Sequence, residues 1–379
     1  MKKKSTLSIF SFLCLLLLTS CISNKKTSLD AFKQDIYTPQ YAAGFKILGA
    51  ENSKSTLIEI TNPWQGAKDV VMSYFISRNG EQAPQGFTGP IIPAGAKRIV
   101  CMSSSYIAML DVLGQVDRVV GVSGLDYIAN PYIQSHRDRI KDMGAEMNYE
   151  LLLGLKPDVV LLYGIGDAQT AVTDKLKELS IPYIYIGEYL EESPLGKAEW
   201  LVALSELTDS REKGIEVFRE IPQRYQALKA MTANITQRPT VMFNTPWNDS
   251  WVMPSTQSYM AQLVSDAGAD YIYQQNASNS SQPIGLETAY GLIQKADYWI
   301  NVGTATTLNE LKAMNPKFTN AKAVREKTAY NNNLRITSTG GNDYWESAVV
   351  HPDIVLRDLI HIFHPELVSD SLYYYRHLE

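Results

Sequence analysis

Arg98-Ile-Val-Cys-Met102, Ser103-Ser-Ser-Tyr-Ile-Ala-Met-Leu-Asp-Val-Leu113 and Val119-Val-Gly-Val122 follow one another with only a short turn after Gly114. A β-branched run, an apolar pattern at helical spacing and a second β-branched run read as strand, helix, strand. The rhythm continues with a helix over Tyr149 to Leu155, the strand Asp158-Val-Val-Leu-Leu-Tyr163, a helix over Ala171 to Leu179 and the strand Pro182-Tyr-Ile-Tyr-Ile186. Strands that alternate with helices imply a parallel sheet covered on both faces. Residues 98–190 are therefore expected to form one α/β lobe.

Toward the C-terminus, residues 191–235 carry few turn signals and place Leu201, Leu204, Leu207, Ile215, Phe218, Tyr225 and Leu228 at mostly helical spacings. This predicts one long bridging helix, with Gly214 and Pro222 as its points of interruption, reaching roughly 50 Å at about 1.5 Å per residue. The α/β rhythm then resumes from the strand Pro239-Thr-Val-Met-Phe243 to a closing helix over Pro352 to Phe363, so residues 236–379 make a second lobe. Toward the N-terminus, Gly44 to Leu48, Ser55 to Thr61 and Val70 to Ile76 read as strands between Asn, Gly and Pro turns, which makes residues 41–97 a small β-element. The expected fold class is α/β: two Rossmann-like lobes bridged by one long helix, with a small N-terminal β-rich element.

Lys2 to Lys4 precede a short apolar run from Leu7 to Leu18, the pattern of a signal peptide over residues 1–20. Leu18-Thr-Ser-Cys21 resembles the bacterial lipobox, which implies lipidation of Cys21 and a membrane anchor made of lipid. Residues 21–40 are polar and are expected to act as a tether. Removal of the signal takes three lysines and no acid, so the formal charge moves from -5 to -8. Of the three cysteines, Cys14 leaves with the signal and Cys21 carries lipid. Cys101 remains alone, so no disulfide is expected within the mature fold.

At 379 residues, 45% apolar and 20% charged, the chain is globular and long enough for two or three domains. It has no basic stripe for nucleic acid. The five histidines, His136, His351, His361, His364 and His377, do not form the convergent set that a bare-metal receptor needs. Gly-x-Ser-x-Gly, phosphate-loop and His-Glu-x-x-His motifs are absent, so no nucleophile, nucleotide site or hydrolytic metal is prepared. No catalytic residue and no cofactor are expected.

Two segments correspond between the lobes. Asn148-Tyr-Glu150 and Gly285-Leu-Glu287 each open a short helix, and Asp158 and Asp297 each precede the next strand. An acid in a first helical turn complements the helix dipole on its own. Two of them at matching places also form a two-point dock for basic pockets on a symmetric partner.

The run Met102 to Ser123, together with Asn148 to Leu161, resembles the ABC-transporter substrate-binding proteins for iron-siderophore, haem or cobalamin. The resemblance spans about residues 98–365. It implies two α/β lobes bridged by a helix, a monomer in the periplasm anchored through Cys21, and delivery to an ABC permease dimer with its ATPase. It also implies that Glu150 and Glu287 dock to arginine pockets on the two permease subunits. The ligand is expected at the carboxyl ends of the strands. That places Ser104, Tyr106, Tyr127, Tyr163, Trp247 and Trp251 beside it, with Asn342, Tyr344 and Trp345 from the Gly340-Gly341 loop. Aromatic faces there suit an organic-wrapped metal: an iron chelate, siderophore or haem, is expected, and the absence of an obvious Arg or Lys for an anionic chelate leaves room for a neutral chelate or, as the alternative, cobalamin. A surface or structural lipoprotein is the reading outside transport.

Overall fold

The computed structural model describes residues 28–164, 169–278 and 280–379. The signal peptide and Cys21 lie outside the described residues. An N-terminal sheet orders β1 (Gln34–Tyr37), β2 (Phe45–Gly49), β3 (Thr56–Thr61), β4 (Val71–Ser77) and β5 (Ile91–Pro93) as a meander, antiparallel until β5 joins β4 in parallel. The expected tether is corrected at its C-terminal half. β1 pairs with β2, and Phe32 is buried among Leu48, Leu57 and Phe75, because an apolar ring and an unpaired strand edge are both stabilised by joining the sheet.

The first lobe holds β6 (Ile99–Cys101), β7 (Val119–Val122), β8 (Lys141–Asp142), β9 (Val159–Leu162) and β10 (Tyr183–Tyr185), all parallel in the order β10-β9-β6-β7-β8. The second holds β11 (Thr240–Phe243), a hairpin-like pair of β12 (Ser250–Met253), the strand β13 (Asp270–Tyr271), β14 (Gln282–Gly285) paired with β12, β15 (Tyr298–Ile300), β16 (Ala329–Asn331) and β17 (Arg376–His377). Its main sheet runs β13-β11-β15-β16-β17, with only the last pairing antiparallel. Asp158 accepts the backbone N–H groups of Lys97 and Arg98 at 2.7 and 3.0 Å, and Asp297 accepts that of Thr240 at 2.7 Å. Each aspartate thus ties the start of its own strand to the start of the neighbouring one, which accounts for its place in both lobes.

The helices of the first lobe are α1 (Ser104–Val112), α2 (Pro131–Ser135), α3 (Tyr149–Leu155) and α4 (Gln169–Glu178). Then come α5 (Pro194–Leu207) and α6 (Arg211–Met231), followed in the second lobe by α7 (Tyr259–Asp266), α8 (Leu286–Ile293), α9 (Leu308–Met314), α10 (Lys322–Arg325), α11 (Tyr344–Ser347) and α12 (Pro352–Phe363). The single bridging helix is corrected to two. The chain breaks at Thr208–Ser210, where Asp209 takes φ +56 in the left-handed region, while Pro222 lies inside α6 without ending it. Helix α6 packs back on α5 and reaches the second lobe, where Arg224 pairs with Asp353 at 2.6 Å and the Tyr225 hydroxyl donates to Asp266 at 2.8 Å.

Every residue of α5 except Lys197 is buried, so this helix is the shared core of the molecule. Glu199 and Glu206 stand two helical turns apart and face the N-terminal sheet. Glu199 accepts the Tyr37 hydroxyl and the N–H groups of Gln40, Tyr41 and Ala42 at 2.7–2.8 Å. Glu206 meets Arg78 at 2.8 Å and Arg211 at 2.5 Å; burial alone raises its pKa, but these cations and Thr56 outweigh it and hold it low. Buried carboxylates are costly without such partners, and the partners come largely from residues before 98.

Candidate functional site

Two cavities lie between the lobes, the larger of them also bounded by the N-terminal sheet, and they share Tyr189 and Tyr259 as a common wall. The inner one, about 280 Å³, is walled by Ser103 and Ser105 of lobe one, Glu188 and Lys197, and Tyr344 and Trp345 of lobe two. The outer one, about 640 Å³, opens between the β3–β4 loop, the segment after β10 and the hydroxyl-rich loops of lobe two. Small-molecule sites typically span roughly 300–1,000 Å³.

Chain connectivity places these groups. Ser103 precedes the first turn of α1, Lys197 lies in the first turn of α5 and Tyr259 opens α7, so three helix starts converge on the cavities. Glu188 follows β10 and is 4% exposed. Its Oε1 accepts the Ser105 hydroxyl at 2.6 Å, whereas its Oε2 has no hydrogen-bond partner among the described residues. Burial raises the Glu188 pKa while Lys197 and Ser105 pull it down; burial lowers the Lys197 pKa while Glu188 and Glu191 pull it up. Lys197 donates to the Glu188 carbonyl at 3.2 Å and sits 4.5 Å from the Tyr259 ring centroid. One cation beside one acid leaves the inner chamber nearly balanced in charge.

Three contacts cross between the lobes at its rim. The Ala129 N–H donates to Glu346 at 2.8 Å, Thr339 donates to the Asp126 carbonyl at 2.6 Å and Ser104 reaches the Trp345 carbonyl at 3.5 Å. Glu346 has a pKa raised to about 7, chiefly by burial and further by Asp343 and Asp111.

The structure separates the expected ligand contacts. Tyr344 and Trp345 line the inner cavity, and Ser104 sits at its edge. Asn342 braces the loop by accepting the Tyr344 N–H at 3.0 Å. Tyr127, Tyr163 and Trp247 are exposed but line neither cavity. Tyr106 and Trp251 are corrections: both are fully buried. The Tyr106 hydroxyl donates to the Leu162 and Ile186 carbonyls at 3.1 Å, because its position in α1 turns the ring onto the sheet. Trp251 points inward from β12 against Trp299 and Phe318, with its indole N–H on the Phe243 carbonyl at 2.8 Å. Ser103, Ser105, Glu188, Tyr189, Lys197 and Tyr259 escaped the sequence reading. Glu188 and Tyr189 follow a strand end as the other candidates do, and that signal could have found them; Lys197 and Tyr259 carried only helical periodicity.

The sequence model of the periplasmic binding protein family matches residues 99–333. The chain belongs to this family. Two uncharacterized lipoproteins of Methanocaldococcus jannaschii are 23% and 24% identical; the alignments cover 97% and 99% of this chain and 94% and 100% of theirs. Among solved structures, a periplasmic heme-binding protein of Pseudomonas aeruginosa superposes with a TM-score of 0.59 at 16% identity, over 75% of this chain and 98% of that one. The periplasmic vitamin B12-binding protein of Vibrio cholerae gives 0.54 at 15%, over 74% and 100%. These likenesses show the fold. Members of this periplasmic binding protein family are solute-binding proteins. Among the described residues, no cluster of three His, Cys, Asp or Glu side chains could hold a metal ion, and no helix is long and apolar enough to cross a membrane.

Proposed function

We propose that this chain is the substrate-binding component of an ABC importer, captures an iron chelate in the interlobe cavity and delivers it to a permease dimer with its ATPase. The observation that carries the reading is the inner cavity itself: apolar and aromatic walls from both lobes around a small, charge-balanced polar set. Such a site binds by contact area and uses a few polar groups for orientation. It suits a wrapped metal better than a bare ion, because no ligand cluster is present among the described residues. The protein acts by binding and not by turnover, as a monomer held at the membrane through lipidated Cys21. Glu150 and Glu287 are exposed in the first turns of α3 and α8, which supports the docking role proposed for them.

Native mass spectrometry and absorbance spectra of the protein purified from its own cells test the reading. A coloured, iron-containing ligand at one per chain is expected. Cobalt in place of iron selects the vitamin B12 alternative, and a colourless metal-free ligand overturns both.

A further inference from the structure

The family match begins at residue 99, yet the larger cavity is bounded on one side by residues 61–68, the loop between β3 and β4 of the N-terminal sheet. This loop is built into the lobe. The Gln65 N–H donates to the Gly164 carbonyl at 3.2 Å, and that same carbonyl accepts the Tyr189 hydroxyl. Trp64 packs its ring on Tyr185 with centroids 5.5 Å apart. The loop, the end of β9 and the segment after β10 are thereby pinned together at the place where strand ends present ligand contacts. Opposite stand Gln257, Ser258, Ser280 and Ser281 of lobe two.

We infer that the N-terminal sheet is a third wall of the binding site, and that Trp64 and Gln65 read a neutral portion of the ligand rich in amide or hydroxyl groups. The inference rests on the chelate-binding reading and narrows it. The facing hydroxyl and amide side chains both donate and accept hydrogen bonds without carrying charge, and Trp64, Tyr189 and Tyr259 supply flat apolar faces beside them. Three charged side chains also line this cavity: Glu191 is already occupied by the N–H groups of Ala43 and Gly44 and by the Trp200 indole at 2.8 Å, while the exposed Lys68 and Glu192 are opposite in sign and offset each other. The two archaeal lipoproteins align over 97% and 99% of this chain, so the alignments extend into the segment outside the family match.

Isothermal titration of the full chain in detergent with a neutral ferric trihydroxamate chelate, cyanocobalamin and haemin tests this. One of the two neutral, amide-rich probes is expected to bind more tightly than haemin. For that probe Trp64→Ala should weaken binding about tenfold or more, and Trp64→Phe should restore part of the loss. Gln65→Ala should cost about threefold to tenfold, and it keeps the fold because the bond to Gly164 uses the backbone. If Trp64→Ala fails to fold, as judged by circular dichroism, Gln65→Ala decides alone. Unchanged affinity in the folded variants, or tightest binding of haemin, overturns the third wall while leaving the chelate reading intact. No binding of any probe by the unaltered protein overturns the chelate reading and the third wall with it.

Discussion

Glu346 joins the lobes through a buried carboxyl whose pKa stands at about 7 against an ordinary 4.5. Between those values the folded chain holds a proton that the unfolded chain has released, so stability is lost as pH rises through that window. The loss amounts to at most about 3 kcal/mol by linkage. Thermal unfolding followed from pH 5 to 7 should show a falling midpoint, and Glu346→Gln should flatten it; equal slopes would remove Glu346 as the source. Tyr106 makes the opposite case. Tyr106→Phe strips one hydroxyl from two buried carbonyls and should cost about 1–3 kcal/mol in denaturant unfolding, with ligand affinity unchanged in the folded protein. Loss of affinity without loss of stability would return Tyr106 to the cleft. Its burial was not legible beforehand, because a tyrosine just past a strand end reads the same whether its helix turns it inward or outward.

At the scale of elements, the break between α5 and α6 decides how the molecule packs. Gly214 sits one turn into α6, where a Cβ would lie 2.2 Å from the Ser205 hydroxyl and 2.5 Å from its Cβ. Glycine in a helix costs about 1 kcal/mol relative to alanine, and here the close approach of the two helices outweighs that cost. Gly214→Ala should therefore destabilise by about 1–3 kcal/mol, measured by chemical denaturation, instead of giving the usual helix gain. A stabilised variant would show that α6 does not lie against α5 in this way. The sequence pointed to Gly214 as a possible interruption, and its role is contact. The real interruption is Thr208-Asp209-Ser210, with Asp209 in the left-handed region and Ser210 at the start of α6; this local cluster of turn and capping residues could have found the break, and Asp209 also meets Arg78 at 2.8 Å.

For the whole molecule, docking and capture are proposed to occupy different surfaces. Glu150 and Glu287 are exposed and line neither cavity. Replacing both with alanine should abolish uptake by whole cells and leave the purified protein's ligand affinity within about twofold, because surface charges away from a site contribute little to it. Retained uptake would refute the docking role, and a large drop in affinity would refute the separation.

By itself the sequence determined the two α/β lobes, three of the five strands of the N-terminal sheet and the family. The lobes and strands rest on local periodicity and turn residues, which are properties of neighbouring positions, and the family rests on the resemblance of the runs Met102 to Ser123 and Asn148 to Leu161. It also marked Asp158 and Asp297, whose bonds run to the start of an adjacent strand. Only the tertiary structure decided that the presumed tether completes a sheet and that Glu188, Lys197 and Tyr259 share a cavity. Those facts depend on which distant surfaces meet. Glu191, Glu199 and Glu206 find their partners about 150 residues away, and nothing in the run from Glu191 to Glu206 states that such partners exist.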